Sequence, residues 1–134
     1  MKQMVILDTG PLVAFLNERD AYHDWVKQQV TVIQSPLLTC EAVLTEACFL
    51  LRKYFKTQAV IEMVSQNFIS VPFHLDKKET EAIKKLMAKY MNVPMSFADA
   101  CLVRMSEQYP HSAILTLDSD FRIYRKHGNQ LIPV

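Results

Sequence analysis

The sequence predicts an α/β domain with a central parallel sheet that is covered on both faces. Two apolar runs, residues 4–7 and 112–117, carry no charge, and each ends at an aspartate, Asp8 and Asp118. Such runs suit strands in the middle of a parallel sheet, because both of their faces are buried. Helical and extended stretches alternate between them, which favours parallel strands joined by helices.

Composition indicates one domain over residues 1–134. Half of the 134 residues are hydrophobic, which is enough for a core and too many for a disordered chain. The net charge is +1, so no overall basic field indicates nucleic acid. The two glycines exclude a glycine-rich phosphate loop. The three cysteines form no CxxC pair, and no run suits a signal peptide or a membrane span, so we expect a reduced, cytoplasmic compartment and no membrane.

Six helices are predicted from apolar periodicity, good helix formers and polar or proline breaks. In chain order they cover residues 12–16, 21–34, 41–53, 57–68, 77–91 and 96–109. Pro11 suits the start of the first helix, and Asp76 caps the fifth. Ser96 and Asp99 form a capping box at the start of the sixth, which Pro110 ends. The third helix is apolar nearly all round, so we expect it to be buried.

Short extended stretches complete the predicted sheet. They cover residues 37–39, 69–73 and 131–134, and a turn at Ser35-Pro36 precedes the first of them. Pro72 makes the second an edge strand, because proline cannot donate to the strand ladder. A short helix is expected through Phe121 and Tyr124.

Several side chains are assigned to the core or to the surface from helical spacing. One face of the second helix is expected to carry Trp25, Val26, Val30 and Ile33. Those expected to face the core on the later helices are Val60, Ile61, Val64, Ala82, Ile83, Leu86 and Tyr90. His23 is expected at the surface, and so are the lysines of residues 77–91, whose charge Glu79 and Glu81 offset.

Four carboxylates follow or interrupt apolar elements: Asp8, Glu46, Asp99 and Asp118. Each has a structural explanation, since the aspartates can cap the helix that follows them and Glu46 can pair with a cation such as Arg52. The carboxyl ends of parallel strands share one edge, which is where ligands bind in open α/β sheets. Asp8 and Asp118 are therefore expected to meet there.

Convergence of these acids predicts a hard divalent cation. Carboxylates a few ångströms apart raise each other's pKa and cost stability, and a cation offsets that repulsion. Oxygen ligands suit Mg²⁺ or Mn²⁺, and no His or Cys pair has zinc spacing. Such a centre supports phosphoryl chemistry, in which one carboxylate takes a proton from the attacking water. Whether one metal or two bind is left open.

The motifs resemble those of PIN-domain proteins, and among these they are most similar to VapC-type toxins of prokaryotic toxin–antitoxin pairs. They are Val-Ile-Leu-Asp-Thr at 5–9 with Leu-Val-Ala at 12–14, Leu-Thr-Glu at 44–46, Ser-Phe-Ala-Asp-Ala at 96–100 and Leu-Thr-Leu-Asp-Ser-Asp-Phe at 115–121. Together they span nearly the whole chain. The resemblance implies a three-layer α/β/α sandwich and a metal-dependent endoribonuclease that hydrolyses RNA.

The resemblance also implies roles for particular residues. The family's acids map onto Asp8, Glu46, Asp99 and Asp118 as catalytic and metal-binding residues, with Asp120 competing for the fourth place. Three hydroxyl residues are expected to support these acids: Thr9, Ser96 and Thr116. Four cations are candidate RNA phosphate contacts, with ordinary surface charges as the alternative: Arg52, Lys53, Lys56 and Arg104. Lys53 follows Glu46 by seven residues, which predicts the same helix face.

A homodimer and a small antitoxin protein are the partners that the resemblance implies. Leu12, Phe15, Leu16 and Trp25 are expected to be exposed and to form an interface. An inhibitory arginine would pair well with the carboxylates.

Other functions fit the sequence less well or remain open. A phosphatase with an aspartyl nucleophile would have a second aspartate where Gly10 stands. A flap-like DNA nuclease needs extra helices, for which the chain has little room. A non-catalytic RNA-binding or scaffold PIN domain would be expected to lack one or more acids. A housekeeping RNA-processing nuclease remains open beside the toxin.

Overall fold

A four-stranded parallel sheet lies at the centre of the computed structural model, which describes residues 3–34 and 36–134. Its strands are β1 (Met4–Leu7), β2 (Leu37–Leu38), β3 (Ile69–Ser70) and β4 (Ser112–Leu115), in the order β3-β2-β1-β4. β1 pairs with β4 along its whole length and with β2 on its other side. The predicted parallel sheet is confirmed, and β3 lies at its edge.

All six predicted helices are present. They are α1 (Thr9–Leu16), α2 (His23–Val32), α3 (Glu41–Leu51), α4 (Thr57–Ser65), α5 (Lys77–Lys89) and α6 (Phe97–Gln108). α3 and α4 are shorter than predicted, because Phe55 and Asn67 adopt positive φ angles and α3 passes into a 3₁₀ helix at Arg52–Tyr54. The predicted turn includes Ser35, which lies outside the described residues.

Helices cover the sheet on both faces. Ile6 and Leu7 are successive strand residues that point to opposite faces, and both are buried. α1 contacts α2 and α3, whereas α5 packs on α6. The three-layer α/β/α sandwich is therefore confirmed. Within the described residues, no helix combines the length and the apolar character that crossing a membrane requires.

α2 and α4 bury a narrower stripe than their apolar spacing predicts. Each contributes one fully buried residue, Val26 and Val60 respectively. Ile61, which was predicted to face the core, is 51% exposed, and Trp25 is 44% exposed. The reason is geometric, since an outer helix that touches the core along one line buries fewer positions than a helix packed between layers.

Of the four residues predicted to be exposed at an interface, Trp25 is exposed and the three residues of α1 are not. Leu12 is a core residue, Leu16 packs against the core, and Phe15 is partly buried. His23 is partly buried rather than on the surface, and its Nδ1 lies 2.7 Å from the carbonyl oxygen of Ala14. α1 packs against both α2 and α3, which leaves its apolar side chains less exposed than predicted.

The C-terminal segment differs from the predicted edge strand over 131–134. β5 (Arg125–Lys126) and β6 (Gln130–Leu131) form a separate antiparallel pair. Beyond it, the backbone N–H of Ile114 donates to the carbonyl of Pro133 at 2.8 Å, so the tail follows the free edge of β4. The predicted short helix is the 3₁₀ helix Ser119–Arg122.

A buried ion pair joins α5 to α6. Glu79 is 5% exposed and accepts from Arg104 Nε at 2.6 Å, from Arg104 Nη2 at 3.0 Å and from Gln108 at 3.0 Å. Arg104 also donates to Glu107 at 2.7 Å. These bonds hold the pKa of Glu79 below its usual range. Two expectations are corrected. Glu79 does not lie on a solvated face, and the guanidinium of Arg104 binds Glu79 and Glu107 within the fold, whereas it was expected to contact an RNA phosphate.

We expect Glu79→Gln to destabilise the protein, because it leaves the Arg104 charge without its main partner. The loss should be ~2 to 3 kcal/mol in urea unfolding near neutral pH, below the range for fully buried pairs because Arg104 is partly exposed. The control is Glu81→Gln on the exposed face of the same helix, expected to stay within ~0.5 kcal/mol of the parent. Equal effects of the two substitutions would contradict the role of the pair.

Candidate functional site

A cleft opens where the strand order of the sheet reverses. From β1 the chain builds outward through β2 and β3, and β4 then returns to the other side of β1. The carboxyl ends of β1 and β4 flank this point, which is where ligands bind in open α/β sheets. The acid cleft, about 620 Å³ in volume, is lined there by Asp8, Glu46, Asp99 and Asp118. The structure thus brings the four predicted acids onto one cavity.

Asp8 is the buried carboxylate at the base of this cleft. Its Oδ1 accepts from the backbone N–H of Thr9 at 2.7 Å, which makes Asp8 the N-cap of α1. Its Oδ2 accepts from the hydroxyl of Thr116 at 2.7 Å, across the β1–β4 pair. Asp8 therefore both caps the helix and faces the cleft, so the two interpretations of this residue are compatible.

Burial raises the pKa of Asp8 to about 6. The negative charges of Asp99 and Asp118 act in the same direction, while the hydrogen bonds from Thr116 and Thr9 oppose it. The carboxylates are thus close enough to repel one another, which is the conflict that convergent strand ends predict.

Glu46 lies on an exposed face of α3, and the prediction that this helix is buried on all sides is wrong. Val43, Ala47 and Leu51 form its buried stripe, so Glu46 points away from the core. The hydroxyl of Thr9 donates to Glu46 Oε2 at 3.4 Å, a long and weak hydrogen bond. In the described ranges 3–34 and 36–134, no ion pair reaches this carboxylate.

Asp99 combines the two roles that its sequence context allows. Its backbone N–H donates to Ser96 Oγ at 3.0 Å and its Oδ2 accepts from the Ser96 backbone at 3.3 Å, so the capping box is confirmed. The same oxygen accepts from the hydroxyl of Tyr124 at 2.9 Å. Tyr124 is a site residue that the sequence did not reveal, because nothing in its spacing marks it. Burial, followed by the hydrogen bond to Asp99 and its charge, raises the pKa of Tyr124.

Asp118, rather than Asp120, lines the cleft. Asp118 Oδ1 accepts from the backbone N–H of Asp120 at 2.9 Å, and its own N–H donates to Thr116 at 2.9 Å. Loss of hydration and the charges of Asp118 and Asp99 raise the pKa of Asp120. The Asp120 carboxylate is therefore within range of the negative charges of the cleft acids. The geometry favours Asp118 as the fourth acid, in line with the expectation from the strand end.

The three predicted hydroxyls each bond to one of the acids. Thr116 donates to Asp8, Thr9 to Glu46, and Ser96 accepts from the backbone of Asp99. A fourth hydroxyl was not predicted: buried Thr39 donates to the carbonyl of Leu7 at 2.7 Å and ties the end of β2 to the end of β1.

The remaining predicted cations lie beyond α3 and do not line the acid cleft. Arg52, Lys53 and Lys56 are all exposed. α3 ends at Leu51, so the seven-residue spacing that placed Lys53 on the helix face of Glu46 does not hold.

The donor set fits a hard divalent cation that keeps part of its water shell. Across residues 3–34 and 36–134, no three His, Cys, Asp or Glu side chains stand close enough together to hold an ion. Mg²⁺ commonly takes one or two carboxylates and retains several waters, which this open cleft allows. The ion pairs of the described chain involve Glu79 and Glu107, so the cleft acids have no cationic partner of their own.

Asp8→Asn should change stability in a pH-dependent way in the presence of EDTA. The pKa of Asp8 is raised, so the native protein binds the extra proton between about pH 4 and pH 6 and loses stability as pH rises through that range. Asn does not titrate, so the variant does not lose this stability as pH rises. The free energy of unfolding of the variant minus that of the parent should therefore increase from pH 4 to pH 7, by at most ~3 kcal/mol. Urea unfolding of both proteins at pH 4 and pH 7 measures this change, and a difference in stability that stays constant with pH would contradict the raised pKa of Asp8.

The PIN domain family matches residues 5–126 of the chain. No sequence among the curated proteins matches it. Among solved structures, the fold is similar to the crystal structure of Mycobacterium tuberculosis VapC20, described as a Sarcin-Ricin loop cleaving toxin, with a TM-score of 0.80 and 20% identity. The match covers 96% of this chain and 99% of that chain. The family match extends over most of the sequence and includes the strand ends that carry the acids, and the chain therefore belongs to the PIN domain family.

Proposed function

We propose that this protein is a metal-dependent endoribonuclease that acts as the toxin of a toxin–antitoxin pair. The observation that carries the proposal is the meeting of four carboxylates on one cleft at the β1–β4 switch point. Membership of the PIN domain family and the likeness in fold to a Sarcin-Ricin loop cleaving toxin support it.

Asp8 would bind Mg²⁺ or Mn²⁺ directly together with Asp99 or Asp118, and the remaining acids would bind it through retained waters. A bound divalent cation lowers the pKa of a water and offsets charge on the phosphate and the leaving oxygen. Asp8 is suited to a fixed ligand, since its two oxygens are oriented by Thr9 and Thr116.

Glu46 would orient the attacking water and accept its proton. It is exposed and makes one long hydrogen bond, to Thr9 Oγ1, so its oxygens are the least committed of the four acids. Tyr124 holds Asp99 by hydrogen bond without blocking both of its oxygens.

RNA, a second copy of this chain and a small antitoxin are the proposed partners. Arg52, Lys53 and Lys56 remain candidate phosphate contacts because they are exposed beyond α3. The homodimer rests on the family resemblance. An antitoxin arginine placed in the acid cleft would form charge-assisted bonds to the unpaired carboxylates. A reducing, cytoplasmic compartment suits the three free thiols.

Removing single charges should separate the roles of the acids. Asp8→Asn, Glu46→Gln and Asp99→Asn should each lower RNA cleavage at least about a hundredfold, the usual scale for one electrostatic catalytic group. Asp118→Asn should lose more than Asp120→Asn, since Asp118 lines the cleft. Cleavage is measured on RNA and DNA panels with Mg²⁺, Mn²⁺ or EDTA, and RNA binding is measured in parallel.

Circular dichroism checks that every variant is folded. The matched controls are Asp24→Asn and Glu81→Gln, which remove exposed charges that do not line the acid cleft. Cleavage that persists in EDTA would contradict the proposed metal dependence. Equal activity in the parent and all five acid variants would mean that the carboxylates are only caps, and the nuclease proposal would fail.

A further inference from the structure

Two further cavities open beside the acid cleft, on opposite sides of Asp8. The α3 cavity, about 660 Å³, shares Glu46 and Ser96 with the cleft. The β4 cavity, about 440 Å³, shares Asp118 with it. β1 lies between β2, which leads into α3, and β4, which leads to Asp118, so the two cavities flank the carboxylate that ends β1.

Exposed aromatic rings line the α3 cavity. Phe49 and Phe97 are 59% and 43% exposed, although large apolar side chains are usually covered. Phe49 lies one turn after Glu46 on α3, and Phe97 stands between Ser96 and Asp99 at the start of α6. Both rings are thus fixed on regular elements directly beside the acids.

A cation rests on one of these rings. The guanidinium carbon of Arg52 lies 3.8 Å from the ring centroid of Phe49, a cation–π contact. The acid cleft by itself repels a phosphate backbone, so positive charge at its side would help to hold a nucleic acid there. An aromatic ring next to an arginine plane is also the surface on which unpaired bases stack.

The β4 cavity repeats this combination on the other side. Trp25, 44% exposed, lines it together with Arg122, which is also exposed. Trp25 belongs to α2, so the two aromatic surfaces come from unrelated parts of the chain and still border the same row of carboxylates.

We propose that the two cavities bind nucleobases on either side of the scissile phosphate, one against Phe49 and Phe97 and the other against Trp25. The inference rests on the proposed nuclease function and adds the residues that position the substrate. A base that stacks on a side chain must leave its own helix, so the nucleotides on both sides of the cleaved bond are unpaired when bound.

Replacing each of these aromatic side chains with alanine should lower cleavage, because a nucleobase loses its stacking partner. Phe49→Ala, Phe97→Ala and Trp25→Ala should each lower kcat/KM roughly tenfold on an RNA that the parent cleaves, the scale of one base–aromatic stack. Phe49→Tyr keeps a ring and should keep most of the activity. Phe55→Ala is the matched control, because Phe55 is 94% exposed and lines neither cavity.

Abasic substrates decide whether the loss comes from stacking. On RNA that lacks the base on one side of the cleaved bond, Phe49→Ala should cause no further loss, and Trp25→Ala should behave likewise for the base on the other side. An equal loss on intact and abasic RNA, or a variant that also changes molar mass in light scattering, would overturn the proposal and assign the rings to folding or to an interface between copies. No loss at all would overturn it as well.

A binding measurement separates this inference from the nuclease proposal. An oligonucleotide with a fluorescent adenine analogue is titrated with the Asp8→Asn protein, and its fluorescence should be quenched by stacking. The double variant Asp8→Asn/Phe49→Ala should lose that quenching. Quenching by a parent protein that cleaves no RNA would support the base sites while the nuclease proposal fails. Cleavage by the parent without any quenching would overturn the base sites alone.

Discussion

The burial of Asp8 at the carboxyl end of β1, beside the charges of Asp99 and Asp118, is the constraint on which the rest of the site depends. β1 pairs with β4 along its whole length, which fixes the position of Asp8 relative to those charges. Hydrogen bonds from Thr9 and Thr116 stabilise the Asp8 carboxylate, but they do not bring its pKa back to the ordinary value of an aspartate. The fold therefore holds negative charges close together, and a bound divalent cation would offset the cost of that arrangement.

The surrounding structure keeps these acids from relaxing apart. Tyr124 holds Asp99 and packs edge-on against Tyr90 and Phe121, which connects the start of α6 to α5 and to the segment after β4. The hydroxyl of Tyr90 in turn accepts from the backbone of Arg125. Edge-to-face aromatic contacts of this kind are rigid and well packed, so they suit a scaffold that must resist electrostatic repulsion.

The sequence predicted the sheet, all six helices and the acids of the cleft, because apolar runs that end in aspartate and a capping box are local signals. The predictions failed where the burial of a side chain depends on how the helices pack against one another. Leu12 is buried because α1 packs against both α2 and α3, and Glu46 is exposed because α3 buries only one stripe. Arg104 looked like a free cation because its partner Glu79 is distant in sequence. Tyr124 was missed for the same reason, since its bond to Asp99 arises from packing.

The central claim is that these carboxylates share a divalent cation, and proton release on Mn²⁺ binding tests it most directly. About one pH unit below the Asp8 pKa of about 6, that carboxyl is largely protonated and must lose its proton to bind metal. Titration calorimetry in two buffers of different ionisation enthalpy counts the protons released. We expect saturable Mn²⁺ binding with proton release in the parent, and weaker binding with less release in Asp8→Asn. No saturable binding at millimolar Mn²⁺, or identical binding and release in the variant, would contradict the account.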